Sequence, residues 1–541
     1  MLPETDLTDA ASLPEGALKT FPTPGDGPKV LLTRQQGQVH AFAPNCPHYG
    51  APLEKGKVVD GRLICPWHHA CFKVESGHLC EPPALDDLPT YAVREVDGRI
   101  LVQLPANPPA STDKPDTTPT AELGGTPPPA PAEAPADTRT FVLVGGGAAG
   151  EFAAQTLRRE GFAGRVVLVS ADEHLPYDRT KLSKAYLAGK AKPEALSLRK
   201  ADFYAKQKIE HLQNTRVIGV DLAKQELQLE GQLPLHYDQL LLAPGGTPNQ
   251  LPKLPGHNLP GVLPLRTQAD ADALLAATKD AKQVVIIGSS FIGMEAASSL
   301  ISESRAVTVI AQEKVPFQRV LGPEIGAMFQ KMHEEKGVQF ETEAEVTTLL
   351  GDAGHVTGVQ LKSGQTLPAD VVLLGVGVRP ATDFLKDAFT LEKDGGLTVN
   401  EFLQAAPNVY AAGDIARFPL SATGQPTRIE HWRLAQQHGS AAARNMLGQQ
   451  KKFAAAPFFW TQQYGKSLRY AGHAEQWDDI VYHGDVAKQN FLAFYVLAGR
   501  VAAVAGMNRD ADMIYITELL GQGRMPTADE LSAETSWGER K

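Results

Sequence analysis

Two short segments, Cys46-Pro47-His48 and Cys65-Pro66-Trp67-His68, each join one thiol to one imidazole and lie about sixteen residues apart. A [2Fe–2S] cluster with two thiolates on one iron and two imidazoles on the other needs this inventory. Each segment supplies one of each, so two loops can grip the cluster from opposite sides. Structural zinc also accepts two thiolates and two imidazoles. Zinc fingers, however, usually group Cys with Cys and His with His, whereas each segment here mixes them and carries Pro directly after Cys. The cluster is the favoured reading, with Cys46, His48, Cys65 and His68 as its ligands.

Two further segments suit nucleotide chemistry. Gly145-Gly146-Gly147-Ala148-Ala149-Gly150 is a complete GxGxxG turn. Gly145 makes the tight turn, Gly147 lets backbone approach a pyrophosphate, and Gly150 lets helix and strand pack closely. Gly288-Ser289-Ser290-Phe291-Ile292-Gly293 repeats the design about 140 residues later, with Ser290 in place of the middle glycine. A third segment, Val409 to Ala416, ends a strand at Gly413-Asp414. There Asp414 can accept a hydrogen bond from a cofactor hydroxyl, cap a helix, or do both.

The elements that position these groups follow from pattern. Before residue 105, short strand-like runs alternate with turn residues, as in a small all-β domain over 1–105. The stretch 106–138 is rich in Pro, Ala and Thr and reads as a linker. FVLVGGGAAGEFAAQTL and VVIIGSSFIGMEAASSL are each strand, turn and helix, which implies two α/β dinucleotide-binding domains. The expected division is an FAD-binding domain over 139–262 and 384–455, an NAD(P)H-binding domain over 263–383, and a C-terminal α+β domain over 456–541. Within the last, FLAFYVLAG and RVAAVAGM read as a hairpin rather than a membrane span.

Composition narrows the class. The chain has 541 residues, 43% hydrophobic and 21% charged, and a net charge of −10, which disfavours nucleic acid as a partner. Its opening, MLPETDLTDAASLPEG, reads as neither a signal nor a transit peptide. A cytoplasmic enzyme is expected. All four cysteines fall within the first 80 residues. Cys71 and Cys80, which remain after the ligands, could pair with each other; a reducing compartment favours packed free thiols.

The runs CPHYGAPL and CPWHHACF resemble the Rieske ferredoxin family. YDRTKLSK, LLLAPGGTP, GSSFIGMEAA, VYAAGDIA, RIEHWRLAQQHG and PFFWTQQYGK resemble the ferredoxin-reductase and apoptosis-inducing-factor-like flavoproteins. Together, the chain looks like the Rieske-containing apoptosis-inducing-factor-like oxidoreductases. The resemblance implies FAD at the first glycine turn and NADH at the second, with NADPH as the alternative. It puts Asp414 on the ribityl chain and Arg179 and Lys184 near the flavin, with Lys184 paired to Glu295. Phe291 would shield one flavin face, and Glu430, His431 and Trp460 would line the flavin and nicotinamide pocket. Lys184, Glu295, His431 and Trp460 are thus the catalytic candidates. High-potential Rieske proteins carry an extra cysteine in each loop. Ala51 and Trp67 stand there, so a low-potential cluster near the bottom of the range, roughly −150 mV, is implied.

Three departures from the family pattern stand out. Ala171 occupies the usual place of the adenosine-ribose acid in the FAD domain, with Asp172 next. Ala311 and Gln312 precede Glu313 in the second domain, where no arginine cluster marks NADP. Ala243-Pro244-Gly245 replaces the usual Ala-Thr-Gly. Disulfide reduction and thiol peroxidation beside the flavin need a thiolate, and no cysteine follows Cys80. The expectation is therefore electron flow from NADH to FAD, to a tethered and mobile cluster, and on to an unidentified external acceptor. The alternative is a slowly turning redox sensor.

Overall fold

The computed structural model describes residues 4–25, 27–105, 137–531 and 537. Nearly all of the expected linker, 106–136, lies outside them. The N-terminal module is all-β. Six antiparallel strands run in the order Glu4–Asp9, Arg99–Gln103, Thr90–Val96, Gln38–Phe42, Lys29–Gln35, Leu18–Pro22. A four-stranded meander follows Lys57–Val59 with β1 (Arg62–Ile64), β2 (Cys71–Lys73) and β3 (Leu79–Glu81). One cluster segment precedes the meander and the other is the β1–β2 loop.

Each glycine turn lies where a parallel strand feeds a helix. β4 (Thr140–Val144) is central in a sheet completed by Val409–Ala411, from far along the chain, which pairs with Gln239–Leu242. Its helix is α1 (Ala148–Arg159). β5 (Gln283–Ile287) is central in a second parallel sheet and leads to α2 (Phe291–Leu300). α3 (Trp432–Met446) packs along α1 so closely that a Cβ on Gly439 would lie 2.1 Å from the Ala149 carbonyl oxygen. The C-terminal unit is a five-stranded antiparallel sheet that starts with β6 (Phe458–Gln463) and is followed by α4 (Asp510–Gly521). Asn490–Leu497 and Arg500–Met507 form the expected hairpin. Among the described residues no helix is long and apolar enough to cross a membrane.

The sequence pointed to a mobile head, but the structure shows a docked one. The apolar core of the N-terminal module includes Phe152 from α1 and Leu198, and Trp432 packs against it. Buried apolar surface that continues across a seam stabilises the docked arrangement at ~25 cal/mol per Å².

Candidate functional site

The four candidate cluster ligands form two facing pairs. His48 and His68 point Nδ1 at Nδ1, 3.1 Å apart. That is close to the ~3.3 Å between two nitrogens on one tetrahedral ion with ~2.0 Å bonds. The thiols of Cys46 and Cys65 are in contact. No group of three or more His, Cys, Asp or Glu converges on one point among the described residues. One zinc would need all four to do so; two irons, each holding one pair, would not. The residues therefore fit a [2Fe–2S] cluster. Burial lowers His48 to about 4, so it is neutral, the form that binds metal. Burial opposes ionisation of Cys65. Contact with the Cys46 thiol, the N–H groups of Trp67 and His68, and the charge of Arg469 outweigh it and lower this thiol.

Both cluster loops face the flavoprotein. Tyr49 stacks on His48 with ring centroids 3.9 Å apart and donates its hydroxyl hydrogen to Asp178, while Lys181 lies 5.1 Å over its ring. His69 stacks on Phe458 at 4.0 Å. Trp460, buried on β6, lies 4.3 Å from the His68 ring and 5.4 Å from that of His431. Arginines secure the seam by donating to carbonyl oxygens: Arg433 to Pro82 at 3.0 Å and His69 at 3.1 Å, Arg469 to Trp67 at 3.0 Å, and Arg199 to Leu85 at 2.9 Å. Arg199 also meets the fully buried Asp86 at 2.6 Å. Sequence reasoning missed these arginines and the Trp460–His68 contact.

Glu295, 4% exposed on α2, is the hub behind Trp460. It accepts from Lys184 Nζ at 2.7 Å, Ser183 Oγ at 2.5 Å and Thr461 Oγ1 at 2.7 Å. Lys184 sits in the π-helical turn Leu182–Tyr186, where its own φ and ψ leave helical values, and also donates to the Thr180 carbonyl at 3.1 Å. His431 precedes α3 and is pushed down to about 3, first by burial and then by the charges of Lys184 and Arg433. Its buried Nδ1 has no partner among the described residues. Phe291 stacks on Phe317 at 4.9 Å and meets Phe459 edge-on at 5.0 Å.

The glycine turns fit dinucleotides. At Gly145 (φ 109°) a Cβ would lie 2.1 Å from the Ala243 carbonyl oxygen, and at Gly150 1.9 Å from that of Gly145, whereas Gly147 opens onto free space before α1. Gly288 (φ 108°) and Gly293 repeat this against the carbonyl oxygens of Gly375 and Gly288, at 2.3 and 2.2 Å. The Ser290 hydroxyl is tied to the Gly375 carbonyl at 3.2 Å. Other candidates already have protein partners. Asp172 accepts from His174 and Tyr177, and Asp414 from Arg266. Arg179 donates to the Arg266 carbonyl and lies over Tyr177. Glu430 accepts from Arg428 at 2.5 Å, and Glu313 meets Arg319 at 2.8 Å.

Comparison with known proteins shows the family. Residues 139–439 match the pyridine nucleotide-disulphide oxidoreductase family, 5–92 the Rieske [2Fe-2S] domain and 458–536 the reductase C-terminal domain. Apoptosis-inducing factor 3 of Mus musculus is 39% identical over 499 residues, spanning 92% of this chain and 80% of that protein. A ferredoxin reductase from Rhodopseudomonas palustris superposes with a TM-score of 0.70 at 32% identity, covering 74% of this chain and 98% of its own. Putidaredoxin reductase, solved in covalent complex with putidaredoxin, gives a TM-score of 0.69 at 33% identity, covering 72% and 94%. With two dinucleotide cradles and a paired thiol–imidazole site in one fold, the chain belongs to the pyridine nucleotide-disulphide oxidoreductase family, as an NAD(P)H-dependent flavoprotein carrying a Rieske [2Fe–2S] domain.

Proposed function

We propose that this chain is an NADH-dependent reductase whose own Rieske module is the first acceptor of electrons from its flavin site, and which then serves a separate redox partner in the cytoplasm. The observation that carries this reading is Trp460, which touches His68 on one side and His431 on the other. When bound, FAD would take hydride from NADH and release electrons singly, the form in which a [2Fe–2S] cluster takes them.

The chain's own residues have distinct tasks. Gly145, Gly147 and Gly150 would hold the FAD pyrophosphate at the α1 N-terminus, and Asp172 and Asp414 would meet its hydroxyls once released from their present partners. Gly288, Gly293 and Glu313 would hold NADH; a carboxylate at Glu313 would repel the extra phosphate of NADPH. Phe291 would shield one flavin face and move when nicotinamide arrives. Lys184, oriented by Glu295, places a positive charge in the pocket, and neutral His431 offers an unpartnered Nδ1. Arg179 would approach the flavin beside Arg266, and Glu430, held by Arg428, would line the flavin and nicotinamide pocket. Cys46, Cys65, His48 and His68 would hold the cluster. The putidaredoxin reductase complex named above pairs a reductase with a separate redoxin, a role the tethered module could fill here.

Rapid mixing with NADH tests the proposal. Flavin absorbance should fall first and the cluster signal should follow. Trp460→Ala should slow the second phase by about tenfold or more. A cluster that stays oxidised while the flavin is reduced sinks the reading. In that case the redox-sensor alternative gains support if the reduced protein also reoxidises slowly with every acceptor tried.

A further inference from the structure

Cys71 and Cys80 have no part in the roles assigned above. They lie on the antiparallel pair β2 and β3, where Cys71 is opposite Glu81 and Phe72 is opposite Leu79. Cys80 is thus the extra residue of a bulge, a device that re-aims a side chain. It places the two thiols beside each other across the strand pair, with Cys80 Sγ donating to the His78 carbonyl oxygen at 3.6 Å. Both are free, Cys71 buried and Cys80 half-buried.

A second observation concerns the space beside them. Cys80 lines a cavity of about 130 Å³ at the seam between the Rieske module and α1 and α3, together with His78, Phe152, Arg159, Ser440 and Arg444. Arg159 is half-buried; its guanidinium donates to the Leu85 carbonyl, and its Nε has no hydrogen-bond partner among the described residues. Glu160 also lines the recess and pairs with Arg444 at 2.8 Å, which leaves Arg159 as the other arginine there. A partly exposed thiol beside such a cation is the environment of reactive cysteines.

We propose that Cys71 and Cys80 form a redox-active dithiol, which hydrogen peroxide admitted through this cavity oxidises to a disulfide across the β2–β3 bulge. The Cys80 thiolate attacks one peroxide oxygen. An S–O bond forms, the O–O bond breaks, and the departing hydroxide takes up a proton to leave as water. The Cys71 sulfur then attacks the Cys80 sulfur. An S–S bond forms, the S–O bond breaks, and a second water leaves. Overall the two thiols lose two electrons and two protons, and one peroxide becomes two waters. The asymmetry of the pair suits this order. Contact with Cys71 brings the Cys80 thiol down to about 7 against the opposing effect of burial, while the same contact, with burial, pushes Cys71 up. The disulfide would form next to the docking contacts: Glu81 Oε2 accepts from Gln437 at 2.5 Å, and the Pro82 carbonyl accepts from Arg433 at 3.0 Å.

Peptide mapping of the full-length holoprotein provides the test. Pre-reduced, desalted protein is treated with hydrogen peroxide, alkylated and digested with trypsin, which cuts between the two cysteines at Lys73. Treated wild type should yield a linked Cys71–Cys80 peptide pair as the main product. The pair should revert with dithiothreitol and be missing from Cys80→Ser, whose flavin and cluster spectra report its folding. In Cys71→Ser, Cys80 should instead be trapped by dimedone as the sulfenic acid. The proposal is overturned if peroxide leaves both wild-type cysteines open to alkylation, or if Cys80 over-oxidises while Cys71 stays free. The wild-type measurement decides the matter even if a variant fails to fold.

Discussion

Lys184 and Glu295 show how a surface-type ion pair becomes part of a site. An exposed Lys–Glu pair is worth at most ~1 kcal/mol. Here the carboxylate is buried and already accepts from Ser183 and Thr461, so it serves to hold the ammonium in place. Lys184→Ala should slow flavin reduction by NADH by ~10²-fold, the usual size of losing one preorganised donor. The buried Glu295 carboxylate then keeps only the Ser183 and Thr461 hydroxyls, so Tm should fall as well, and the rate is read on folded, flavin-loaded protein. An unchanged single-turnover rate would remove Lys184 from the mechanism. At the cluster, His68→Ala takes away one of the two facing imidazoles. Iron content should fall to background while the flavin-to-protein ratio and NADH-dependent ferricyanide reduction persist, because the glycine turn at Gly145–Gly150 proposed for FAD is built from other elements. Flavin loss in step with iron would show instead that the two modules fold as one.

Among the elements, what was legible in the sequence was local. Both glycine turns, the strands before them and the helices after them could be read because each device spans only a few consecutive residues. Gly150 against Gly145 and Gly293 against Gly288 are the same solution used twice. Gly439 carried no such signal, since its close partner Ala149 lies on a helix distant in the chain. His438, one residue earlier on α3, was also invisible. It is buried between Phe418 and Phe453, and its Nδ1 accepts the Gly413 N–H at 3.3 Å. Burial lowers it to about 3, and burial likewise lowers His333 to about 4. The unfolded chain, with ordinary histidines near ~6.5, therefore binds more protons than the folded one below that pH. The stability these groups support is complete above ~6.5. It declines by up to ~1.4 kcal/mol per pH unit for each histidine as pH falls toward their folded values. Thermal melts of the holoprotein should show Tm level from pH 8 to 7 and falling below ~6.5. A Tm that stays level to pH 5 contradicts this account.

At the scale of the whole molecule, the order of modules was plain from composition and motif, but their docking was not. The reason is chemical. Arg199, Arg433 and Arg469 donate to the carbonyl oxygens of Leu85, Pro82, His69 and Trp67, and a backbone acceptor has no residue type to recognise. Among the side-chain pairs that cross the seam, Arg199 with Asp86 is an ion pair that is 2% and 0% exposed. Removing one member of a buried pair strands the other charge, at a cost of ~3–5 kcal/mol, whereas replacing both is often close to neutral. In Arg199→Met the Asp86 carboxylate escapes that cost by taking up a proton or by regaining water; at pH 8, where protonation is least favoured, it regains water if the Rieske module lifts off. This variant should therefore keep its flavin and iron, show a larger radius of gyration by X-ray scattering, and reduce its cluster more slowly than wild type after NADH is added. Adding Asp86→Asn should bring both readouts back toward wild type. If Arg199→Met alone keeps the wild-type radius and cluster rate, the pair does not hold the seam, and the carbonyl-bonding arginines Arg433 and Arg469 must hold it without Arg199.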